Sequence, residues 1–237
     1  MTAPTDPQKP VFPIKALIAF GIYLLLNPII LFVAAGTTQW PMGWVYSIAT
    51  VVLTIVSRVA MIKLNPDLAQ ERGNYREAEG VKPWDRVLSA IVGLYGNLAI
   101  LIVAGFDYRY LWSPEVAVSI SWIALAVGLL GFVFGTWALI ENRFFSAVVR
   151  IQTDRGHTVC DTGPYKIVRH PGYSGAALFF GAMPVILGTL WAYIPVAITL
   201  LALIIRTALE DKTLQAELEG YKEFAQTTRY RLLPFIW

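Results

Sequence analysis

Long apolar runs, separated by polar connections, constrain this chain more than any other feature of its sequence. An α-helix needs about 20 mostly apolar residues to cross a bilayer, and in lipid it satisfies its own backbone hydrogen bonds. Charged residues make up only 15% of the chain, against about 25% in soluble globular domains. We therefore predict six membrane-spanning helices, at residues 14–35, 44–62, 87–106, 116–140, 173–188 and 190–205.

The lysines and arginines distinguish the two sides of this predicted bundle. They concentrate before the first run and in the connections 63–86, 141–172 and 206–237, whereas the other turns contain only Arg109. With six spans these basic segments share one side, which the positive-inside rule makes cytoplasmic. An odd number of spans would distribute them over both sides. The prediction is an all-α integral membrane protein with about six transmembrane helices, between five and seven, and both termini in the cytoplasm.

Three regions follow from the same pattern. Residues 1–13 are polar and rich in proline, which predicts a disordered lead-in. Residues 14–140 are expected to form the N-terminal transmembrane helices, and residues 141–237 contain most of the unusual polar side chains. We expect this last region to hold a cytoplasmic catalytic loop, a helical hairpin and a C-terminal amphipathic helix.

Composition narrows the range of partners. A net charge of +3 is small for a nucleic-acid binder, so we expect membrane lipids and a lipophilic small molecule as partners, and no nucleic acid. The single cysteine, Cys160, and the two histidines, His157 and His170, have no spacing that suits a metal ion. His157 is as compatible with a surface position as with a ligand contact, and its role stays open.

The connection 149–175 contains too many glycines and prolines for an ordinary link between two spans. Pro171 and Gly172 end any preceding helix, and the fifth apolar run begins directly after them. The N-terminus of a helix presents free N–H groups and a partial positive charge, which suit an anionic group such as a carboxylate. This connection is therefore predicted to hold an anionic and an aromatic group at the membrane boundary.

The C-terminal segment contains a second group of polar side chains. Arg206 and Glu210 are four residues apart and share one helical face, and Asp211 lies next to Glu210. An amphipathic helix on the membrane surface, with Arg206 reaching lipid phosphates, explains this spacing as well as a ligand site does. Taken alone, the segment leaves both interpretations open.

Together, the two segments resemble the isoprenylcysteine carboxyl methyltransferase family and its phospholipid methyltransferase relatives. The residues that carry the resemblance are TGPYKIVRHPGYSG at 162–175 and RTALEDKTLQAELEGYKEF at 206–224, followed by RYRLLPFIW. The family pattern is close to T-G-P-Y, R-H-P-x-Y-x-G, and then R-x-x-x-E-[ED]-x-x-L with an aromatic residue further on. The resemblance covers only the C-terminal part of the chain, and the first spans have no counterpart in it.

The resemblance implies a membrane enzyme that transfers a methyl group from S-adenosylmethionine to a lipophilic acceptor. The acceptor would be an isoprenylcysteine-type carboxylate, or a related small lipophilic acid or thiol, that reaches a cytoplasm-facing site from the bilayer. A multi-pass protein of the bacterial inner membrane fits this expectation. The implied cofactor-binding residues are Thr162, Gly163, Pro164, Tyr165, Arg169, His170, Pro171, Tyr173, Gly175, Glu210 and Asp211.

The implied catalytic residues are Arg206 and Glu210. The Arg206 guanidinium can position an anionic acceptor through paired hydrogen bonds, and Glu210 is expected to hold that guanidinium in place. For a thiol or amine acceptor, Glu210 or His170 can instead take a proton. Tyr165 and Tyr173 can cover an adenine ring or attract the sulfonium through cation–π contacts.

Two other classes of function stay open at this point. Membrane sterol reductases share R-H-P-x-Y-x-G but use NADPH; Gly172, Ala176 and the upstream T-G-P-Y favour the methyltransferase pattern. A transporter or sensor requires charged residues buried within its spans, and only Arg58 is a candidate for such a position.

Overall fold

A computed structural model of the protein describes residues 14–237, and this part of the chain is helical with no β-strand. The predicted lead-in at 1–13 lies outside the described residues. The α-helices in chain order are α1 (Ile14–Ala35), α2 (Pro41–Leu64), α3 (Pro66–Gly73), α4 (Asp85–Ala90), α5 (Gly96–Tyr110), α6 (Val118–Glu141), α7 (Pro171–Leu187), α8 (Tyr193–Glu217) and α9 (Tyr221–Thr227). A π-helical turn, Ile91–Tyr95, joins α4 and α5 into one continuous helix.

Prolines and glycines determine where several of these helices begin and end. Pro41, Pro66 and Pro171 occupy the first position of α2, α3 and α7, where a missing backbone N–H costs no hydrogen bond. Gly188 follows α7 in the left-handed conformation, with φ of +68°, and so ends that helix. Apart from the sixth run, whose helix continues to Glu217, the predicted boundaries of the apolar runs are close to those of the observed helices.

Four helical segments are long and apolar enough to cross a membrane: Pro41–Leu64, Asp85–Tyr110, Val118–Glu141 and Leu190–Glu217. Two further helices are apolar: Pro171–Leu187, which is shorter, and α1, of which Phe20–Ala35 is the part whose side chains the structure describes. The all-helical architecture of a membrane protein is thus confirmed. A count of six complete spans stays a prediction.

The predicted C-terminal amphipathic helix is not a separate element. Helix α8 continues from the sixth apolar run through Arg206 to Glu217 without a break. No glycine or proline interrupts the helix between Pro195 and Glu217, and the polar side chains of Arg206 and Asp211 are buried against partners within the bundle. Gly220, at φ of +79°, then turns the chain into the short helix α9.

Close backbone contact fixes α7 against α6. A side chain added at Gly175 would lie 2.4 Å from the carbonyl oxygen of Gly131 and 2.7 Å from the backbone nitrogen of Gly135. Only glycine permits this approach, as in other tightly packed membrane helix pairs. The packing positions the N-terminal end of α7 beside the C-terminal end of α6, where the polar connection begins.

The basic connections meet at one end of the bundle, as the charge distribution predicts. Lys82 Nζ contacts Glu217 at 2.7 Å, Arg72 Nη1 donates to the carbonyl of Phe145 at 3.0 Å, and the His170 amide donates to the carbonyl of Arg231. We call this the site end. At the opposite end, the Tyr108 hydroxyl donates to the carbonyl of Gln39.

Candidate active site

A cleft opens at the site end between the C-terminal end of α6, the N-terminal end of α7 and the C-terminal half of α8. It is partly open to solvent. Much of its lining is aromatic: Phe144, Phe145, Tyr165, Tyr173, Tyr221 and Phe224. A mostly apolar, concave lining with a few polar groups is typical of a small-molecule site.

The cleft brings together six of the predicted site residues from two distant stretches of the chain. These residues are Tyr165, Arg169, His170, Tyr173, Arg206 and Glu210. The short hairpin of α7 and α8 returns the chain to the site end, which explains why the two sequence motifs meet there.

Arg206 is buried within the bundle and does not extend to the membrane surface. Its Nε and Nη2 atoms donate to the two carboxylate oxygens of Asp85, at 2.7 and 3.2 Å, and Nη2 also donates to the carbonyl of Ala147 at 3.0 Å. Only 7% of the residue is exposed. An arginine reaching lipid phosphates would need a free, solvated head group, so the surface interpretation of Arg206 is wrong.

The prediction that Glu210 holds the guanidinium of Arg206 is also wrong. The partner of Arg206 is Asp85, and Glu210 instead accepts a hydrogen bond from the Tyr173 hydroxyl at Oε2. The reason is that the i, i+4 spacing places Arg206 and Glu210 on one face, but a buried carboxylate from α4 lies closer to the arginine fork. Both side chains still line the cleft.

Tyr173 lies between these two residues. Its ring faces the Arg206 guanidinium, with the guanidinium carbon 5.3 Å from the ring centre, and stacks beside the His170 ring at 5.7 Å. A guanidinium over an aromatic face is stabilised by the ring quadrupole. Asp85, Arg206, Tyr173 and Glu210 thus form one connected group, which we call the cleft cluster.

Asp211, next to Glu210 in sequence, faces the other way and is fully buried. One carboxylate oxygen accepts from Arg169 Nε at 2.7 Å and from the Tyr221 hydroxyl at 3.1 Å, and lies 3.4 Å from His170 Nε2. The other accepts from Arg169 Nη2, Gln215 Nε2 and Arg231 Nε, at 3.1, 2.7 and 2.8 Å. We call Asp211 and these partners the anchor cluster. Its carboxylate has no capacity left for a ligand.

The anchor cluster ties the C-terminal tail to the loop before α7. Arg169 Nη1 donates to the carbonyls of Thr228 and Arg229, and its backbone amide donates to the carbonyl of Tyr230. Ser174 Oγ donates to the carbonyl of Leu232 at 2.6 Å. These bonds assign Arg169 and Asp211 a structural role, and they hold His170 at the edge of the cleft.

Five further predicted site residues lie outside the cleft lining: Thr162, Gly163, Pro164, Pro171 and Gly175. Thr162 Oγ1 donates to Glu141, and a side chain at Gly163, whose φ is +53°, would lie 2.8 Å from the carboxyl carbon of Glu141. Pro164 is buried in the 3₁₀ turn Gly163–Lys166. These residues, like the helix-starting Pro171 and the packing residue Gly175, shape the backbone around the site.

The wall of the cleft at 144–149 is held by residues of the connection 63–86, which the motifs did not identify. Ser146 Oγ donates to Glu71 at 2.6 Å, and the Val149 amide donates to Asp85 Oδ2 at 2.7 Å. Arg72, from the same connection, donates to the carbonyl of Phe145 in this wall, and desolvation by burial lowers its pKa to about 10. The sequence does contain a signal for the Asp85–Arg206 pair. Asp85 lies just before the third apolar run and Arg206 directly follows the sixth, so both lie at the same end of the predicted bundle.

His157 lines the cleft, although the sequence left its role open. Its ring packs on Phe144, with 4.6 Å between ring centres, and Nδ1 accepts a hydrogen bond from the Gln152 amide at 3.3 Å. Burial, followed by the charges of Arg150 and Arg155, lowers the pKa of His157 to about 4. The imidazole is therefore neutral at physiological pH and offers a polar group to the cleft.

Tyr165 also lines the cleft and is neutral as well. Its hydroxyl accepts from Asn142 Nδ2 at 3.2 Å, and burial raises the pKa of Tyr165 well above its usual value. The cleft therefore presents neutral aromatic groups on this side and the side chains of Arg206 and Glu210 on the side of α8.

Comparison with known proteins adds one finding to this geometry. No curated protein matches the chain. Residues 122–216, however, match the sequence model of the isoprenylcysteine carboxyl methyltransferase (ICMT) family. The matched segment contains most of α6, all of α7, nearly all of α8 and the wall of the cleft, and it begins inside α6. Over residues 122–216 the chain is thus similar to the isoprenylcysteine carboxyl methyltransferase family, which confirms the resemblance first seen in its motifs.

Proposed function

We propose that the protein is an integral membrane methyltransferase that uses S-adenosylmethionine to methylate a lipophilic acceptor. The acceptor class is an isoprenylcysteine-type carboxylate or a related small lipophilic acid or thiol. The observation that carries the proposal is that Arg206 and Glu210 line one aromatic cleft within the segment similar to the methyltransferase family.

The residues of the cleft fit this cofactor. The rings of Phe144, Tyr165 and Phe224 can cover an adenine, and Tyr173 can attract a sulfonium through its ring face. Glu210 uses Oε2 for Tyr173, while Oε1 has no hydrogen-bond partner among the residues that the structure describes. This oxygen is therefore available to an ammonium or hydroxyl group. When bound, S-adenosylmethionine supplies an electrophilic methyl group on a positively charged sulfur.

The chain's own contribution to the reaction is mainly orientation. A carboxylate acceptor is already a nucleophile, so it needs little proton transfer, and correct placement can account for most of the acceleration. Arg206 can hold such a carboxylate, because its planar fork forms directed hydrogen bonds. The apolar rings around it exclude water, which strengthens these electrostatic contacts.

A thiol acceptor would require a base. Glu210 is better placed for that role than His170, because His170 Nε2 lies against Asp211 and Tyr221 within the anchor cluster. Glu210 Oε1 could take the thiol proton within the cleft. A carboxylate and a thiol acceptor can be distinguished by the loss in Glu210→Gln, which should be small for the acid and large for the thiol.

Calorimetry on the detergent-solubilised protein tests the cofactor. We expect S-adenosylhomocysteine to bind and NADPH not to bind, because the family match supports a methyltransferase and lends nothing to the reductase alternative. Radiolabelled S-adenosylmethionine and a panel of lipophilic acids and thiols then test the reaction. Binding of NADPH in place of S-adenosylhomocysteine, or no methyl transfer to any member of the panel, would overturn the proposal.

The site end is proposed to face the cytoplasm, because it gathers the basic connections. Single cysteines at Thr38 and at Gln226, in a background without Cys160, should react with membrane-impermeant thiol reagents from opposite faces of the membrane. Labelling of both from the same face would exclude this topology.

A further inference from the structure

A buried carboxylate from outside the family-like segment completes the cleft cluster. Asp85, in the first turn of α4, is fully buried and lies well before residue 122. Oδ1 accepts from Arg206 Nε at 2.7 Å, and Oδ2 accepts from Arg206 Nη2 at 3.2 Å and from the Val149 amide at 2.7 Å. Both oxygens are therefore used, and all three bonds join distant parts of the chain.

This pairing determines which edge of the guanidinium is free. Two parallel hydrogen bonds to one carboxylate fix the plane of an arginine, which a single bond does not. Nη2 is also held by the carbonyl of Ala147 at 3.0 Å, and the Tyr173 ring covers one face. Nη1 has no hydrogen-bond partner in the part of the chain that the structure describes, and Arg206 lines the cleft. Nη1 is the donor left for a ligand.

The same carboxylate also holds part of the cleft wall. Ser146, Val148 and Val149 line the cleft, and the bond from the Val149 amide to Asp85 keeps this wall next to Arg206. A single side chain thus sets both the direction of the arginine and the position of the surface beside it.

We propose that Asp85 is a positioning residue that orients Nη1 of Arg206 toward the anionic group of the methyl acceptor. The inference rests on the proposed methyl transfer. Asp85 itself is covered by Arg206 and the wall and acts only through the arginine. Its effect should therefore fall on the acceptor, and binding of the cofactor should be nearly independent of it.

Steady-state methylation of N-acetyl-S-farnesylcysteine by Asp85→Asn and Asp85→Glu tests this role. An asparagine can still accept from the Val149 amide, but its NH₂ group cannot pair with the guanidinium fork. We expect kcat/KM for the acceptor to fall about 10- to 100-fold in Asp85→Asn, in line with the sensitivity of positioning to small displacements. Asp85→Glu keeps the charge and should recover part of the loss. In both variants the affinity for S-adenosylhomocysteine should change less than about twofold, because neither substitution alters a residue that is proposed to contact the cofactor.

Glu217→Gln is the matched control. It breaks the Lys82–Glu217 pair, at 2.7 and 2.8 Å, which joins the same connection to α8 on the exposed side, away from the cleft. We expect wild-type acceptor kinetics in this variant, because exposed ion pairs contribute little. A loss equal to that of Asp85→Asn would show that any loosening of this connection impairs the enzyme, and the specific role of Asp85 would be rejected.

A readout that needs no turnover separates this inference from the proposed function. The Nε–H signal of Arg206 in ¹⁵N-arginine-labelled protein can be identified by its loss in Arg206→Lys. Asp85→Asn should shift this signal and speed its exchange with solvent, and Glu217→Gln should not. If the wild-type protein methylates no acceptor, the proposed function fails. The Nε–H signal and the equilibrium binding of N-acetyl-S-farnesylcysteine then still test whether Asp85 orients Arg206. Wild-type acceptor kinetics, or an unchanged Nε–H signal, in Asp85→Asn would overturn the inference.

Discussion

The cleft cluster and the anchor cluster lie side by side at the site end, and both are built around buried arginine–carboxylate pairs. In the anchor cluster every oxygen of Asp211 is shared among several donors, and the partners come from the loop before α7, from α8 and from the tail. In the cleft cluster Arg206 Nη1 and Glu210 Oε1 have no partner among the described residues. A saturated cluster holds structure together, whereas an unsaturated one can bind a ligand.

The comparison also explains how adjacent acidic residues acquire different roles. Glu210 and Asp211 are consecutive in α8, so their side chains point about 100° apart around the helix axis. One direction meets the cleft, and the other meets Arg169 and Arg231. Helix α8 therefore carries, at two consecutive positions, one carboxylate that faces the cleft and one that is buried in the anchor cluster.

The largest effect is expected from breaking the anchor cluster. Asp211→Asn removes the charge shared by Arg169 and Arg231, and loss of one partner of a buried ion pair costs about 3–5 kcal/mol. For a chain of this size, the Tm should fall by about 6–20 °C. Thermal unfolding in detergent measures this. Asp67→Asn, which removes the exposed partner of the exposed Arg143, is the control and should stay within a few degrees of wild type, as expected for a surface pair.

The next effect concerns turnover rather than stability. Arg206→Lys keeps the charge but loses the planar fork, so methyl transfer should fall by about 10- to 1000-fold, with a much smaller change in cofactor affinity. Arg143→Lys, at an exposed position, serves as the control. Full activity in Arg206→Lys would contradict this difference between the two clusters, because Arg206 would then have only a structural role.

The smallest effect comes from pH. Acid sensitivity near the cleft is expected from His157, whose pKa is lowered to about 4 by burial and by Arg150 and Arg155. In the unfolded chain the pKa of His157 is about 6.5, so between pH 6.5 and 4 the unfolded state binds a proton more readily than the folded state. The free energy of unfolding is therefore highest above pH 6.5 and decreases as the pH falls toward 4.

The Tm of the wild type should therefore decrease between pH 6.5 and 4 more steeply than that of His157→Gln. Because the side chain is partly exposed, the difference should stay below the full slope of about 1.4 kcal/mol per pH unit. Parallel Tm curves for the two proteins over this range would show that His157 is not the responsible group.

Much of the candidate site was accessible from the sequence where local motifs carry it. The motif at 162–175 contains Tyr165, His170 and Tyr173, which the structure places in the lining of the cleft, while their contact with a cofactor stays a prediction. It also includes Gly163 and Gly175, which lie outside the cleft lining at positions where the backbone leaves no room for a side chain. A motif records that a residue type is required but not whether it serves packing or binding.

The sequence alone determined the helical membrane architecture, the gathering of basic connections at one end, and the convergence of two motifs around a hairpin. These features depend on hydrophobic length, on charge and on local chain direction, which act over neighbouring residues. Only the tertiary structure decided that Asp85, separated from Arg206 by most of the chain, is its partner, and that Glu210 faces the cleft while Asp211 does not. The physical reason is that a buried charge takes whichever opposite charge the packing of distant helices brings within hydrogen-bond distance, and no local pattern encodes that distance.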